Sequence, residues 1–408
     1  MNQFLELRGD ALVLFWTRGF RLFAYGLLSV ILVLYLTEVG LSLAQIGTLI
    51  TLTLVGDTAI SLWLTTQADR IGRKRMLIIG SFLIILAGVI FSTTNNFFVL
   101  LFAATIGVIS PTGNEVGPFL SIEQAALSQI VPDQNRTKIF AWYNLTGAIA
   151  ISLGSLAGGS IVQLFLNFGF SPLDSYRIVI LVYALIGCLL WSIFARLSPA
   201  IETTKKTPKS RLSLGLEKSK KAVFGLSALF ALDAFGGGFI MQSMIAYWFF
   251  IKFQVEPATL GLIFFGANFL AGISSLLAYR FANRFGLLNT MVFTHIPSNI
   301  LLIMVPFMPT LELAIIVLFL RFSISQMDVP TRQSYLMAIV DEHERSAAAG
   351  VSGVARTLGA AISPILAAPL LAVPALLNLP FIVAGGLKLI YDGILYFSFK
   401  SVNPDKKR

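Results

Sequence analysis

The chain has 408 residues, of which 56% are hydrophobic and 12% charged, and a formal net charge of +10. Soluble domains carry about 25% charged residues, so this chain cannot clothe itself in an ordinary aqueous surface and reads as an integral membrane protein. Its single cysteine, Cys188, excludes a disulfide framework, and no Cys/His cluster suggests a metal.

The start, "MNQFLELRGDALVLFW", lacks a small-residue cleavage site after its first apolar run. It is expected to be retained on the cytoplasmic side. Twelve apolar runs follow, each near the roughly 20 residues that cross a bilayer. They are predicted at 11–37, 44–67, 76–95, 97–130, 138–166, 175–196, 222–252, 257–281, 288–308, 311–338, 346–372 and 375–400. The runs are too long for barrel strands, so helices are the backbone that satisfies its own hydrogen bonds here.

Lys and Arg crowd into alternate loops. One set holds Arg70, Arg73, Lys74 and Arg75, then Arg136 and Lys138, then a run from Arg196 to Lys221, then Arg284, Arg345 and the tail "KSVNPDKKR"; the other set holds Arg177 and Lys252. This asymmetry predicts a multi-pass protein of the cytoplasmic membrane with both termini inside, and it accounts for the net positive charge without nucleic acid. The one long polar segment, 197–221, divides the chain into predicted domains 1–196 and 222–408.

The halves resemble each other. "IEQAALSQIVPDQNR" (122–136) aligns without gaps on "TRQSYLMAIVDEHER" (331–345), an offset of 209, with Gln124 on Gln333 and Arg136 on Arg345. Near the start of each half the offset is 214: Gly47 falls on Gly261, Arg70 on Arg284 and Gly72 on Gly286. Polar matches at fixed offsets indicate two diverged copies.

A duplicated chain with the basic, glycine-containing turn "TTQADRIGRKR" (65–75) between its second and third spans resembles the major facilitator superfamily. Asp69, Arg70, Gly72, Arg73 and Lys74 match that family's turn, while Thr65 stands where a glycine is usual. "RGFRLFAYG" (18–26) and "SQMDVPTRQSY" (325–335) look like a prokaryotic branch of it. The resemblance implies an all-α membrane protein of twelve transmembrane helices in two pseudo-symmetric six-helix bundles. It also implies a conformational latch at the cytoplasmic helix ends, formed by Asp69, Arg70, Gly72, Arg73, Arg136, Arg284 and Arg345, that breaks when the outward-open state closes. Physically, Gly72 permits the tight reversal and the bases hold the turn inside. The partner turn "ANRFGLLN" keeps only Arg284 of the charges, so a weaker second latch is expected.

Ionisable residues inside spans are costly and usually functional. Six are basic (Arg18, Arg21, Arg321, Arg332, Arg356, Lys388) and six acidic (Asp57, Glu115, Glu123, Asp233, Asp328, Asp392). Equal numbers suggest pairing inside the protein and argue against a strongly anionic or cationic ligand. Lys388 and Asp392, i,i+4, are expected to be a self-contained pair. Asp57 and Arg356 are expected to be structural. Arg18, Arg21 and Tyr25 make a polar stripe on the first span; Arg321, Asp328 and Arg332 make one on the tenth. The fourth span, "SPTGNEVGPFLSIEQ", carries Asn114, Glu115, Glu123 and Gln124 among Pro111, Gly113, Gly117 and Pro118. Such helix-breaking residues mark cavities and transporter sites. In the family resembled, spans 1, 4, 7 and 10 line the central cavity, and Asp233 adds the seventh.

Glu123 lies eight residues before the end of its span, roughly 12 Å deep at the helical rise. An ion pair of Glu123 with Arg332 or Arg18 is expected there. Glu123 and Asp233 are candidate proton carriers, with fixed salt bridges as the alternative. His295 and His343 are too few for a metal site, and no cofactor is expected. The helix 5 antiporter signature of the family has a Gly-Pro pair; here Gly158–Gly159 lacks the proline. No phosphate-cradling Walker loop and no nucleophile–base set is visible, so neither ATP-driven transport nor an enzyme is expected. The function expected is secondary active transport of a small solute by alternating access, coupled to protons, by a monomer in lipid. A lipid flippase or scramblase, or a membrane sensor on the same scaffold, is the competing reading.

Overall fold

The structure, a computed structural model, describes residues 9–132, 136–202, 216 and 218–400. The side chains of Asp69, Arg136, Thr137, Lys138, Glu342 and Ser346 fall outside that description. The described residues contain no strand. The α-helices, in chain order, are α1 (Asp10–Glu38), α2 (Leu43–Ile71), α3 (Arg73–Thr93), α4 (Phe97–Ile106), α5 (Phe119–Ile130), α6 (Arg136–Asn167), α7 (Pro172–Phe194), α8 (Lys220–Gly238), α9 (Gln242–Phe253), α10 (Pro257–Phe285), α11 (Leu287–Met304), α12 (Leu311–Ser325), α13 (Asp328–Ile339), α14 (Arg345–Leu371) and α15 (Leu379–Phe399). Among the described residues, 11 helical stretches are long and apolar enough to cross a membrane.

The fourth predicted span, 97–130, is not one helix. It is α4 and α5 with an irregular stretch, 107–118, between them. Gly113 and Gly117 take φ of +74° and +81° there, a region open to glycine at little cost. The seventh and tenth spans are also interrupted, between α8 and α9 and between α12 and α13. Three of the four spans expected to carry the charges are therefore broken helices.

The internal duplication appears in the helix boundaries. α2 and α10 are displaced by 214 residues at both ends, and Gly72 and Gly286 follow them with φ of +117° and +82°. α5 and α13 are displaced by 209 at both ends. The polar offsets read from the sequence are thus offsets of whole helices.

Two compact units emerge, Met1–Lys209 with Ile245–Phe265, and Ser210–Met244 with Gly266–Arg408. In the first, α1 and α6 approach through glycines. A Cβ on Gly154 would lie 2.0 Å from the Phe23 carbonyl, one on Gly158 2.3 Å from that of Leu27, and one on Gly26 2.3 Å from that of Ile151. In the second, α8 and α14 repeat the device: a Cβ on Gly359 would lie 2.3 Å from the Ala231 carbonyl. Lipid is as apolar as leucine, so helices in a membrane gain by close packing, and small residues permit it. Large apolar side chains such as Leu185 and Phe397 face outward.

Gly154→Val should therefore force α1 and α6 apart. We expect a cost of about 1–3 kcal/mol, the usual range for overpacking, read as a lower unfolding midpoint of the detergent-solubilised protein, while Gly350→Ala, inside α14 with open space around its Cα, does not lower the midpoint.

Candidate functional site

Each unit holds one buried cluster of charges. In the first, α1 supplies Thr17, Arg18, Arg21 and Tyr25 from one face. Arg21 is fully buried. Its two Nη atoms donate to the two Glu123 oxygens at 2.7 Å each, and its Nε donates to Glu115 at 2.8 Å. Arg18 donates to the other Glu115 oxygen at 2.9 Å and to Asn144 at 3.4 Å. Thr17 donates to Glu123 at 3.0 Å, and the Tyr143 hydroxyl donates to it as well. Phe119 and Tyr143 lie under the guanidinium groups of Arg21 and Arg18, 4.6 and 4.2 Å from their ring centres. The fork geometry of arginine meets a carboxylate with two parallel bonds, the strongest arrangement such a pair can adopt.

The break in the fourth span makes this possible. Glu123 stands on α5, but Glu115 stands on the irregular stretch, two residues before Gly117. Tyr25 donates to the Val116 carbonyl of the same stretch at 3.3 Å. Gly147 on α6 leaves room for Arg18: a Cβ there would lie 3.0 Å from its Nε. Asn114 is exposed and Gln124 half-buried, and neither joins the cluster.

In the second unit, Arg332 on α13 donates to Asp233 on α8 and to Asp328, one turn back, at 3.1 Å each. Lys388 on α15 reaches the other Asp233 oxygen at 2.6 Å. His295 on α11 places Nδ1 2.8 Å from Asp392 and Nε2 3.7 Å from Asp233. Asn299 donates to Asp392 at 3.0 Å. Gly236, in the "GGG" stretch, leaves space for the Lys388 stem.

Two expected pairings are corrected. Glu123 pairs with Arg21, not with Arg332 or Arg18: on α1, residue 21 faces α5 while Arg18 turns to the Glu115 of the break. Lys388 and Asp392 do not form a self-contained pair. Lys388 reaches Asp233, and Asp392 is taken by His295 and Asn299, because acids on neighbouring helices lie nearer than the acid one turn along. The residue pattern alone places none of His295, Asn299, Tyr143 and Asn144 in an ion-pair cluster, although Tyr143 is among the aromatics that could stack on a ligand. A histidine inside a span was a signal of the same kind as the other ionisable residues.

The bases of this second cluster outnumber its acids. Arg321 is buried, with its guanidinium over the Phe322 ring at 4.8 Å, and Arg356 is half-buried on α14. Both have a buried Nε without a hydrogen-bond partner, and neither has an acid within ion-pair distance among the described residues.

The turn residues behave differently. Gly72 has no side chain to cap α3; the Glu202 carboxylate does so, accepting from Arg73 N–H at 2.7 Å and Lys74 N–H at 3.1 Å. A carboxylate at a helix N-terminus meets unpaired donors and the positive end of the dipole. The Arg73 side chain bonds Gln129 on α5 and the Ile201 carbonyl, and Lys74 bonds the Leu197 carbonyl. In the second unit, Glu344 accepts from the Lys218 and Ser219 N–H groups just before α8, at 2.8 and 2.9 Å. Beside it, the His343 N–H, then Lys218, hold the Asp341 carboxyl below the usual carboxylate range. Arg345 donates to the Met337 carbonyl; Arg70 and Arg284 are exposed. The side chains of Asp69 and Arg136 lie outside the described residues.

The sequence profile of the Major Facilitator Superfamily matches residues 14–364. The chain belongs to the major facilitator superfamily. It is 31% identical to the "Uncharacterized membrane protein YJR124C" of Saccharomyces cerevisiae, over 97% of this chain and 95% of that one. Among solved structures it resembles a bacterial homolog of the human lysosomal transporter Spinster, in an inward-facing, unoccupied conformation (TM-score 0.73, 16% identity, 96% of each chain). It also resembles a D-xylose–proton symporter (TM-score 0.71, 15% identity, 98% of this chain and 99% of that one). At such identities the likeness shows the fold, two six-helix bundles of a membrane transport family, and the chain is a multi-pass membrane protein.

Removing Asp233 strands the buried Lys388 and leaves Arg332 with Asp328 alone. We expect Asp233→Asn to cost about 3–5 kcal/mol, the range for breaking one side of a buried pair. The double variant Asp233→Asn/Lys388→Met should recover part of that, since it removes the stranded charge. Unfolding midpoints of the purified single and double variants measure the coupling; additive losses would show that Lys388 and Asp233 do not act together.

Proposed function

We propose that this protein is a secondary transporter that moves a small solute by alternating access and couples it to protons. The observation that carries this reading is the placing of the charges. Most acids and bases of the spans stand on the first, fourth, seventh and tenth, with the ninth and twelfth contributing His295, Lys388 and Asp392, and the fourth, seventh and tenth are broken. Buried ions cost free energy that a purely structural core of apolar residues would avoid. Interrupted helices free backbone groups for a solute or ion. The D-xylose–proton symporter of the same fold couples its solute to protons by its name, and that chemistry is what the acids here would serve.

Glu123 and Asp233 are each held by bases and by further donors. This favours the fixed salt bridge over free proton exchange for both; their role is to hold the two clusters in shape. Arg321 and Arg356, left without acids, fit a solute that carries an anionic group.

Uptake into proteoliposomes tests this, using a panel of anionic and neutral metabolites with and without a pH gradient. Accumulation of an anionic solute that grows with the gradient is expected, with Glu123→Gln and Arg321→Gln abolishing it. Accumulation of nothing on the panel under any gradient, or transport untouched by both substitutions, overturns the reading.

A further inference from the structure

One acid in the spans stands apart. Asp57 lies on α2, 9% exposed. Glu115, Glu123, Asp233, Asp328 and Asp392 each have a base or the His295 ring within ion-pair distance. Asp57 has none among the described residues. Its partners are neutral: Ser61 Oγ, one turn on, donates at 3.4 Å, and the Gly117 N–H reaches it from the break in the fourth span.

The backbone forces this position. At Gly56, a Cβ would lie 1.9 Å from the Thr105 carbonyl on α4, so α2 and α4 touch through their main chains there. That contact sets the next residue, Asp57, beside the irregular stretch that α4 leads into. Gly117, at φ +81°, turns its N–H toward the carboxyl. The titratable groups that face Asp57 are Glu115 in the break, Tyr25 on α1 and Tyr183 on α7. The hydroxyls of Tyr25 and Tyr183 are spent on the Val116 and Val108 carbonyls of the same stretch. So the stretch from Val108 to Gly117 is held by two tyrosines, and Asp57 and Glu115 meet beside it.

An ionised carboxylate without a counter-charge in such a place is far costlier than the neutral acid. A neutral acid can still accept from Ser61 and Gly117, and it adds an O–H donor. Its neighbour Glu115 bridges Arg18 and Arg21. Loss of a proton from Asp57 sets a second carboxylate against Glu115; gain of the proton removes that repulsion.

We propose that Asp57 is the proton-binding carboxyl of this protein, its proton governing how firmly Glu115 holds Arg18 and Arg21 at the break in the fourth span. The step is Asp57–COOH giving Asp57–COO⁻ and a proton released to water, with no other bond made or broken. The assignment of coupling to this proton rests on the transport reading above; the assignment of the proton itself does not.

Infrared spectroscopy of the reconstituted protein tests the proton directly. Wild type at neutral pH should show the carbonyl stretch of a protonated carboxyl, shifted down in D2O, and Asp57→Asn should lack that component. Asparagine keeps the shape and a neutral acceptor oxygen, and Asp57→Glu should restore the band, so loss of signal through misfolding is separable by its unfolding midpoint. A wild-type spectrum with no such component, or one that Asp57→Asn leaves whole, overturns the proposal. In proteoliposomes, Asp57→Asn should lose the response of solute accumulation to a pH gradient and Asp57→Glu should regain it. A band that vanishes while the gradient response persists overturns the coupling role. A band that vanishes in a protein that moves no solute condemns the transport reading and leaves the proton on Asp57 standing.

Discussion

A charge inside a hydrocarbon-bound helical bundle has to be answered at contact distance, because neither water nor a long-range counter-charge is available to do it. That constraint organises both units. Arg21, fully buried, takes two carboxylates at once, with a fork on Glu123 and its Nε on Glu115. Asp233 takes Arg332 on one oxygen and Lys388 on the other. Remove one member and the remainder is an ion in oil, which is why such clusters act as units.

Backbone breaks and glycines serve the same end. A continuous fourth helix would carry Glu115 and Glu123 on one rod, two turns apart. The irregular stretch 107–118 lets Glu115 reach Arg18 while Glu123, on α5, keeps its grip on Arg21. Glycines on α6 bring α1 close enough for Tyr143 and Asn144 to reach the same two arginines' surroundings. In the second unit Gly236 does this for Lys388. Close packing and charge pairing are therefore one construction rather than two.

The two clusters differ in what they leave over. The first has two arginines against three acids, and the odd member, Asp57, sits against neutral donors. The second has Arg321 and Arg356 beyond the bases its acids engage. A protein that only needed to stand in a membrane would have no use for either remainder. A spare acid suits a proton, and spare guanidinium groups suit an anion.

How far this was readable from residues alone can be traced position by position. Hydropathy, the alternation of basic loops and the offsets of 209 and 214 are local or periodic facts, and they determined the membrane class, the helix count to within one broken span, the duplication and the family. They also picked out nearly every ionisable residue of the clusters, since a charge in an apolar run stands out without any structure. Partnership is a different kind of fact. Whether Glu123 meets Arg18 or Arg21 turns on one helical step of 100° and on where α5 begins. Whether Lys388 meets Asp392 or Asp233 depends on which neighbouring helix carries a nearer acid. Whether Asp57 has a base at all can be known only when every surrounding helix is in place. Sequence separation carries no information about distances across a bundle, so the chain specified which charges are buried, and only the packed helices decided which of them are paired.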